Sequence, residues 1–429
     1  MQLNKPASIL HALAAATCGL FASAPPAVHA QAPSPPRPAQ RSPWEVESAI
    51  LFYSEQDRVT LIEPVVRMSR QLSEDEAIAL KLVVDSLTGS SPSGAVPSTT
   101  PQTFTSPSGN GTYSTPANAT PLDPTFLDTR VALSFDWTRP LGAERRIVYT
   151  GHASTEYDYT SLGLGATVSQ DFNKRNTTLT AGLSYNADQV EPVGGVPSGL
   201  TAQPAFPGIK TTAGASDSKS VLDALLGITH VLNRSTLMQF NYTYGRDSGY
   251  LTDPYKLVSV VDPATGIPVQ TLHEKRPEDR TRSALFWRTL KAFDRDVLNA
   301  SYRYYWDDWG VRSHTVDLRY RRDLGGPYLE PHLRLSKQVQ AADFYRQFLR
   351  AGESEGFASA DYRLAEMSTV TVGLKYAIPA KTGELSARLE YMLQTGNDHP
   401  AGAPGQLAAQ DLFPDTKALI AQISYSFHW

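Results

Sequence analysis

The closing residues of the chain, LIAQISYSFHW, alternate with period two: Leu419, Ala421, Ile423, Tyr425, Phe427 and Trp429 form one set, and Gln422, Ser424, Ser426 and His428 the other. Successive side chains of an extended strand point to opposite faces, so the segment offers an apolar face and a polar one. The same register recurs upstream. Val131, Leu133, Phe135 and Trp137 stand against Arg130, Ser134 and Asp136, and Ile78, Leu80, Leu82 and Val84 against Lys81 and Asp85. Leu179, Ala181, Leu183 and Tyr185 stand against Thr178, Thr180, Gly182 and Ser184.

Soluble antiparallel sheets alternate too, so strand length, aromatic placement and loop asymmetry must decide what the apolar face meets. The alternating segments run about nine to eleven residues, the length a tilted strand needs to cross a bilayer, whereas soluble strands average about five or six. The 20 tyrosines gather near segment ends, as in YTYG, SYRYYW and TEYDYT, where an interfacial girdle would hold them.

Strands are expected at 46 to 54, 58 to 70, 76 to 87, 129 to 138, 146 to 158, 161 to 172, 177 to 187, 220 to 232, 236 to 245, 281 to 291, 296 to 306, 311 to 321, 328 to 339, 367 to 378, 384 to 394 and 417 to 429. Sixteen strands put both ends on one side. That side receives only short polar turns, such as NKRN, NRS and PAKTG, while 88 to 128, 188 to 219, 246 to 280, 340 to 366 and 395 to 416 fall opposite with three tight connections. Short periplasmic turns and long outer loops are the asymmetry of an outer-membrane barrel. FASADYRLA, 357 to 365, reads as a further strand by pattern, but parity assigns it to an outer loop. The expected fold is all-β: a transmembrane antiparallel barrel over 44 to 429. Its aromatic-ended last strand is similar to the C-terminal signal by which bacterial outer-membrane barrels are recognised, here Tyr425, Phe427 and Trp429.

The first 43 residues are read separately. Lys5, the apolar run from Ile9 to Ala22 and the small residues Val28 and Ala30 describe a secretory signal peptide over 1 to 30, followed by a proline-rich spacer over 31 to 43. Cys18, the only cysteine, lies in that signal after AAT, a poor lipoprotein box, so the exported chain is expected to carry no disulfide. With 39 basic and 43 acidic residues there is no polybasic footprint for nucleic acid.

A barrel of this size is wide enough for an aqueous lumen unless it is filled. The polar face should line it. Its expected members are Arg67, Lys81 and Asp85; Arg130, Asp136, Arg146, His152, Glu156 and Asp158; Arg303, Asp317, Arg319 and Arg321; Glu330, His332 and Arg334; and Lys375, Arg388 and Glu390. Such charges could select solutes by sign, or pair with one another and close the lumen.

Chemistry has few candidates. There is no GxSxG and no His pair at metal-ligand spacing, and Glu330, His332 and Arg334 share a face as an ion-pair row would. The densest rim cluster is Asp307, Asp308 and His314. Aspartates and Gly310 in WDDWG are what a turn needs, so Asp307 and Asp308 are placed in an outer-rim turn and His314 at the interface. Residues 90 to 125, rich in Ser, Thr, Pro and Gly, are expected to be flexible.

Several stretches together resemble the bacterial domain of unknown function 3570 family: YSEQDRVTLIEPVVRMSRQL, LKLVVDSLTGSSPSGA, RPEDRTRSALFW, DVLNASYRYYWDDWGVRSHTVDLRYRR and DLFPDTKALIAQISYSFHW. The resemblance spans about residue 44 to the end and implies an outer-membrane barrel. It also implies a neighbourhood of a small lipoprotein, a thioredoxin-like protein and a flavin-attaching transferase, hence a scaffold role in envelope redox or metal handling. No CxxCH or flavin motif accompanies it, and no cofactor is expected. The leading expectation is a porin-like channel for small polar solutes in the outer membrane, with lipid and the barrel-assembly machinery as partners. A redox scaffold comes second, and a rim hydrolase third.

Overall fold

A computed structural model describes residues 43–429 except residue 107. The signal and almost all of the spacer, with Cys18, lie outside the described residues. Sixteen strands close into one antiparallel barrel in which, small loop strands aside, every neighbour in space is a neighbour in sequence except the first and last strands, which close the ring. They are β1 (Glu45–Glu55), β2 (Thr60–Gln71), β3 (Ala77–Pro92), β4 (Leu122–Pro140), β5 (Arg145–Thr155), β6 (Tyr159–Phe172), β7 (Thr177–Val190) and β8 (Asp217–Asn233). The ring continues with β9 (Thr236–Gly249), β10 (Asp279–Ala292), β11 (Val297–Asp307), β12 (Arg312–Asp323), β13 (Tyr328–Gln340), β14 (Met367–Ala380), β15 (Gly383–Gly396) and β16 (Thr416–His428). β1 pairs with β16 from Glu45↔His428 to Glu55↔Ala418, so no sheet edge is left open.

The alternation reads out as expected. Ile50, Leu164, Leu226 and Ile423 point outward and are 58%, 76%, 59% and 64% exposed. Continuous apolar cover of this extent is foreign to a soluble monomer, where exposed patches rarely pass a few hundred Å². The chain is a transmembrane barrel of outer-membrane type. Tyr302, Tyr304, Trp306 and His314 lie on this outer face, with Tyr304 stacked on Trp306 at 5.2 Å between ring centroids.

Strand length differs from expectation. The strands are 11 to 19 residues long, the longest being β4. A bilayer needs only about nine to eleven residues, so the surplus extends the wall past the membrane on the long-loop side. β5 is shorter than read and ends at Thr155, which puts Glu156 and Asp158 in the tight turn to β6 rather than on the strand face.

On the long-loop side the connections 93–121, 191–216, 250–278, 341–366 and 397–415 fold together into a cap. The Leu257 amide donates to the Ser93 carbonyl at 2.8 Å, Val96 to Ser259 Oγ at 3.1 Å, and Lys275 and Ala358 exchange backbone bonds at 2.9 Å. Ser93 follows β3 and Leu257 follows β9, nearly opposite points of a sixteen-strand ring, so loops that meet this way must meet across the mouth. Val258, Val261, Ala358 and Leu407 are fully buried there.

The stretch expected to be flexible is part of this cap. It forms a hairpin, Gln102–Thr105 with Thr112–Thr115, in which Phe104 stacks on Tyr113 at 5.3 Å. Its hydroxyls satisfy neighbouring backbone and its aromatics bury, which composition alone does not reveal. FASADYRLA joins the cap as expected, ending in a 3₁₀ turn at Tyr362–Leu364.

Candidate functional site in the barrel lumen

Register places the expected lumen residues on the inner face. On β11 to β15 they meet around His332, whose Nε2 lies 2.9 Å from Asp317 Oδ2 and whose Nδ1 lies 2.9 Å from Glu390 Oε1. Carboxylates only accept, so the ring serves both when each nitrogen carries its N–H. Gly373, between them in register, makes this possible: a Cβ there would collide with the Glu390 side chain. Arg319 Nε donates to Asp317 at 3.2 Å, and Arg388 approaches Glu390 at 3.7 Å with its Nη1 buried and unpartnered. Toward the short turns Lys375 lies 3.5 Å from Glu384, and Arg321 stacks on Tyr328 at 3.9 Å. Glu330 faces Lys375 in register.

A second group lies on β1 to β4. Arg130 Nε donates to Asp85 Oδ2 at 2.6 Å, and Glu63, 4% exposed, lies beside that 1% exposed aspartate. Arg67 pairs with Glu47 at 3.2 Å and faces Lys81 in register, and Asp136 lies in the field of both cations. Around these charges the inner face is apolar: Tyr53, Leu61, Leu87 and Ala418 form one cluster, and Val65, Val83 and Ala132 another.

The wall from β5 to β9 is different in kind. Between its charged ends it presents Thr150, Gly163, Gly165, Thr167, Thr180, Gly182, Ser184, Asn241 and Thr243. Thr150 and Thr243, and Arg303 on β11, point inward and are still exposed, so the middle of the lumen is accessible to water.

The rim cluster divides. Asp307 is the last residue of β11 rather than a turn residue, and only Asp308 lies in the turn. Asp307 accepts from Arg280 Nη2 at 2.6 Å, Tyr305 Oη at 2.8 Å and the Val311 amide at 2.8 Å, with no exposed side-chain surface. Asp308 caps the Thr281 amide at 2.9 Å, and Gly310 takes the positive φ of 94° that the turn requires. His314 is on the outer face, where it lies 2.7 Å from Tyr302 Oη. Asp307 and His314 therefore point to opposite sides of the wall and form no catalytic group.

The cap is held by buried charge. Arg276 donates to Glu274 at 2.6 Å and Asp361 at 2.8 Å, and Arg363 bridges Asp361 and Asp253, the latter at 3.1 Å. Burial pushes Asp361 up, but the guanidiniums of Arg363 and Arg276 outweigh it and hold its carboxyl well below the usual range. Asp158, in the tight turn below, accepts from Tyr255 Oη, and burial pushes its carboxyl up to about 7. His273 is 1% exposed, and burial with nearby Lys210 lowers it to about 4.

The reading of the sequence missed several inner charges. Arg280, Arg282 and Arg288 on β10 follow from the same alternation once Leu285 and Trp287 are taken as outward, and Glu63 follows from Arg67. Arg282 joins Asp223 at 3.0 Å and Asp247 at 2.8 Å across three strands, a link visible only with the register known. On the surface Asp398, His399 and Asp411 bring three ligand atoms within 4.8 Å of one another, from two ends of one loop that no spacing motif connects.

With the closed barrel and its lining established, the sequence can be placed. The chain belongs to the family described as Protein of unknown function (DUF3570). The match covers residues 10–427. No curated protein matches it in sequence. Among solved structures it is similar to a bacterial polysaccharide outer membrane secretin, at 7% identity and TM-score 0.43, covering 91% of this chain and 100% of that one. A mutant ferric enterobactin receptor of Pseudomonas aeruginosa gives 9% identity and TM-score 0.44 over 90% of this chain and 60% of the receptor. The CymD monoaromatic hydrocarbon channel gives 9% and 0.39 over 91% and 89%. This family member thus spans about 60% of that receptor's length.

Proposed function

We propose that the protein is an outer-membrane channel for small polar solutes, with its outer mouth covered by the loop cap. The observation that carries this reading is the inner face at mid-height, where Thr150, Thr243 and Arg303 face inward and stay exposed to water. A filled barrel would bury these side chains. Hydroxyls and amides on β5 to β9 offer hydrogen bonds without fixed charge, so a hydrated solute can exchange water for wall groups at little cost. The cap sets access from outside, and Tyr425, Phe427 and Trp429 serve as the assembly signal. The test is single-channel recording in planar bilayers. Discrete conductance is expected from the folded barrel, and silence at every voltage from both wild type and a variant with a loosened cap overturns the reading.

A further inference from the structure

The inward bases fall into two groups. Most, from Arg67 on β2 to Arg388 on β15, have a carboxylate within ion-pair distance. Arg288, Arg303, Arg321 and Arg334 have none among the described residues. Arg288 donates to Asn299 Oδ1 at 3.0 Å, Arg303 lies over the Tyr305 ring at 5.6 Å, and Arg334 faces Asp317 in register without an ion pair. All four lie on the adjacent strands β10 to β13.

Their heights are related. Arg288, Ser301, Asp317 and Arg334 occupy one row across the four strands. Arg303 is one inward step toward the cap, and Arg321 two inward steps toward the short turns. With a rise of about 3.4 Å per residue, the four span roughly 20 Å of wall. Arg303 lies in the field of Arg334 and Arg282, and Arg288 in that of Arg319; the carboxylate acting on both Arg288 and Arg334 is Asp317, already engaged by Arg319 and His332.

Guanidiniums stay charged, and like charges held together without counter-ions are costly. Lumen water offsets part of that cost. An anion offsets more, because the planar N–H fork matches the paired oxygens of phosphates and carboxylates. Aromatic and amide partners leave N–H groups of these arginines free to turn toward the axis.

We propose that Arg288, Arg303 and Arg334 form an oxyanion-binding site at mid-lumen, with Arg321 on the approach from the short-turn side. As the step that names the transported class, it rests on the channel reading. The solutes are small phosphates or carboxylates. Three unit charges about 8 Å from an anion in water raise its local concentration about tenfold, and 0.1 M salt screens this to about threefold.

The test uses the full folded barrel and the triple variant Arg288→Gln/Arg303→Gln/Arg334→Gln, with Arg67→Gln on the opposite wall as control and heat-modifiable gel mobility as the check on folding. Equilibrium dialysis with labelled inorganic phosphate should show saturable binding by wild type and Arg67→Gln, and at least tenfold weaker binding by the triple variant. Displacement by succinate compared with pyrophosphate separates a carboxylate ligand from a phosphate one. In a KCl gradient the reversal potential should show about threefold preference for chloride, falling to near unity in the triple variant. No phosphate binding by wild type, or equal binding by the folded triple variant, overturns the site. Binding without conductance overturns the channel and leaves the site standing, whereas conductance with neither binding nor anion preference does the reverse.

Discussion

The barrel wall and the cap above it are both closed structures, but they are closed by different means. In the wall, backbone hydrogen bonds pair each strand with its neighbours, and side chains need only be apolar outside and polar inside. In the cap, loop backbones pair only over short stretches, such as Leu257–Val261 with Pro268–His273 and Leu349–Arg350, and the loops otherwise meet through isolated contacts, among them a carbonyl of Ser93, a hydroxyl of Ser259, and the buried row Glu274, Arg276, Asp361, Arg363 and Asp253. The wall therefore tolerates exchange of one inward polar residue for another, and the cap does not. The difference separates stability, which the wall supplies, from access, which the cap controls.

The largest effect that could break this contrast is in the cap's charged row. Arg363→Ala leaves Asp361 and Asp253 buried beside one cation fewer, a loss of about 3–5 kcal/mol by the usual cost of orphaning a buried charge. Amide exchange should rise across 250–278 and 341–366 while the barrel strands keep their protection. Simultaneous loss of the strands would show that wall and cap are one cooperative unit.

On the wall, Leu164→Arg places a charge against lipid at an outward position and should cost about 2–4 kcal/mol in equilibrium unfolding from bilayers. Thr150→Ser on the adjacent strand, inward-facing and paired in register with Gly165, should be neutral, so equal losses at the two sites would contradict the assignment of faces.

A smaller effect comes with pH. Folded Asp158 titrates at about 7 and its unfolded counterpart at about 3.9, so the stability of the neutral form is full below about pH 4 and is lost as pH rises through 7. Acidifying from pH 8 to 5 should tighten the docking of Tyr255, seen as exchange protection corrected for the intrinsic rate, and Asp158→Asn should remove the response. His273 acts oppositely, losing stability as pH falls from about 6.5 toward 4, so His273→Leu isolates the Asp158 limb. Smallest is the hairpin: Phe104→Leu keeps the apolar cover but removes the stacking on Tyr113, costs about 1 kcal/mol and should free Gln102–Thr105 alone in amide exchange.

The same contrast explains what could be read in advance. Period two is imposed by lipid on one face and water on the other, so each of the sixteen strands and the side of every loop were legible from residues such as Leu179 to Tyr185. The surplus length of β4 was not, because beyond the bilayer nothing enforces alternation. Inner residues were legible as a face and not as pairs: His332 was placed inward, but its two carboxylates come from neighbouring wall positions that only register connects. In the cap no period exists. Arg276 and Asp361 are 85 residues apart, and the pairing that buries them has no signature in the sequence.

The central claim is a water-accessible lumen beneath the cap, and neighbouring positions on β9 test it most directly. In a Cys18→Ser background, Thr243→Cys faces the lumen and Tyr244→Cys faces lipid. A small negatively charged thiosulfonate added to the barrel in vesicles should modify the first cysteine and spare the second, with faster modification when Arg363→Ala loosens the cap. An unreactive Thr243→Cys in both backgrounds, with Tyr244→Cys modified instead, would contradict the account.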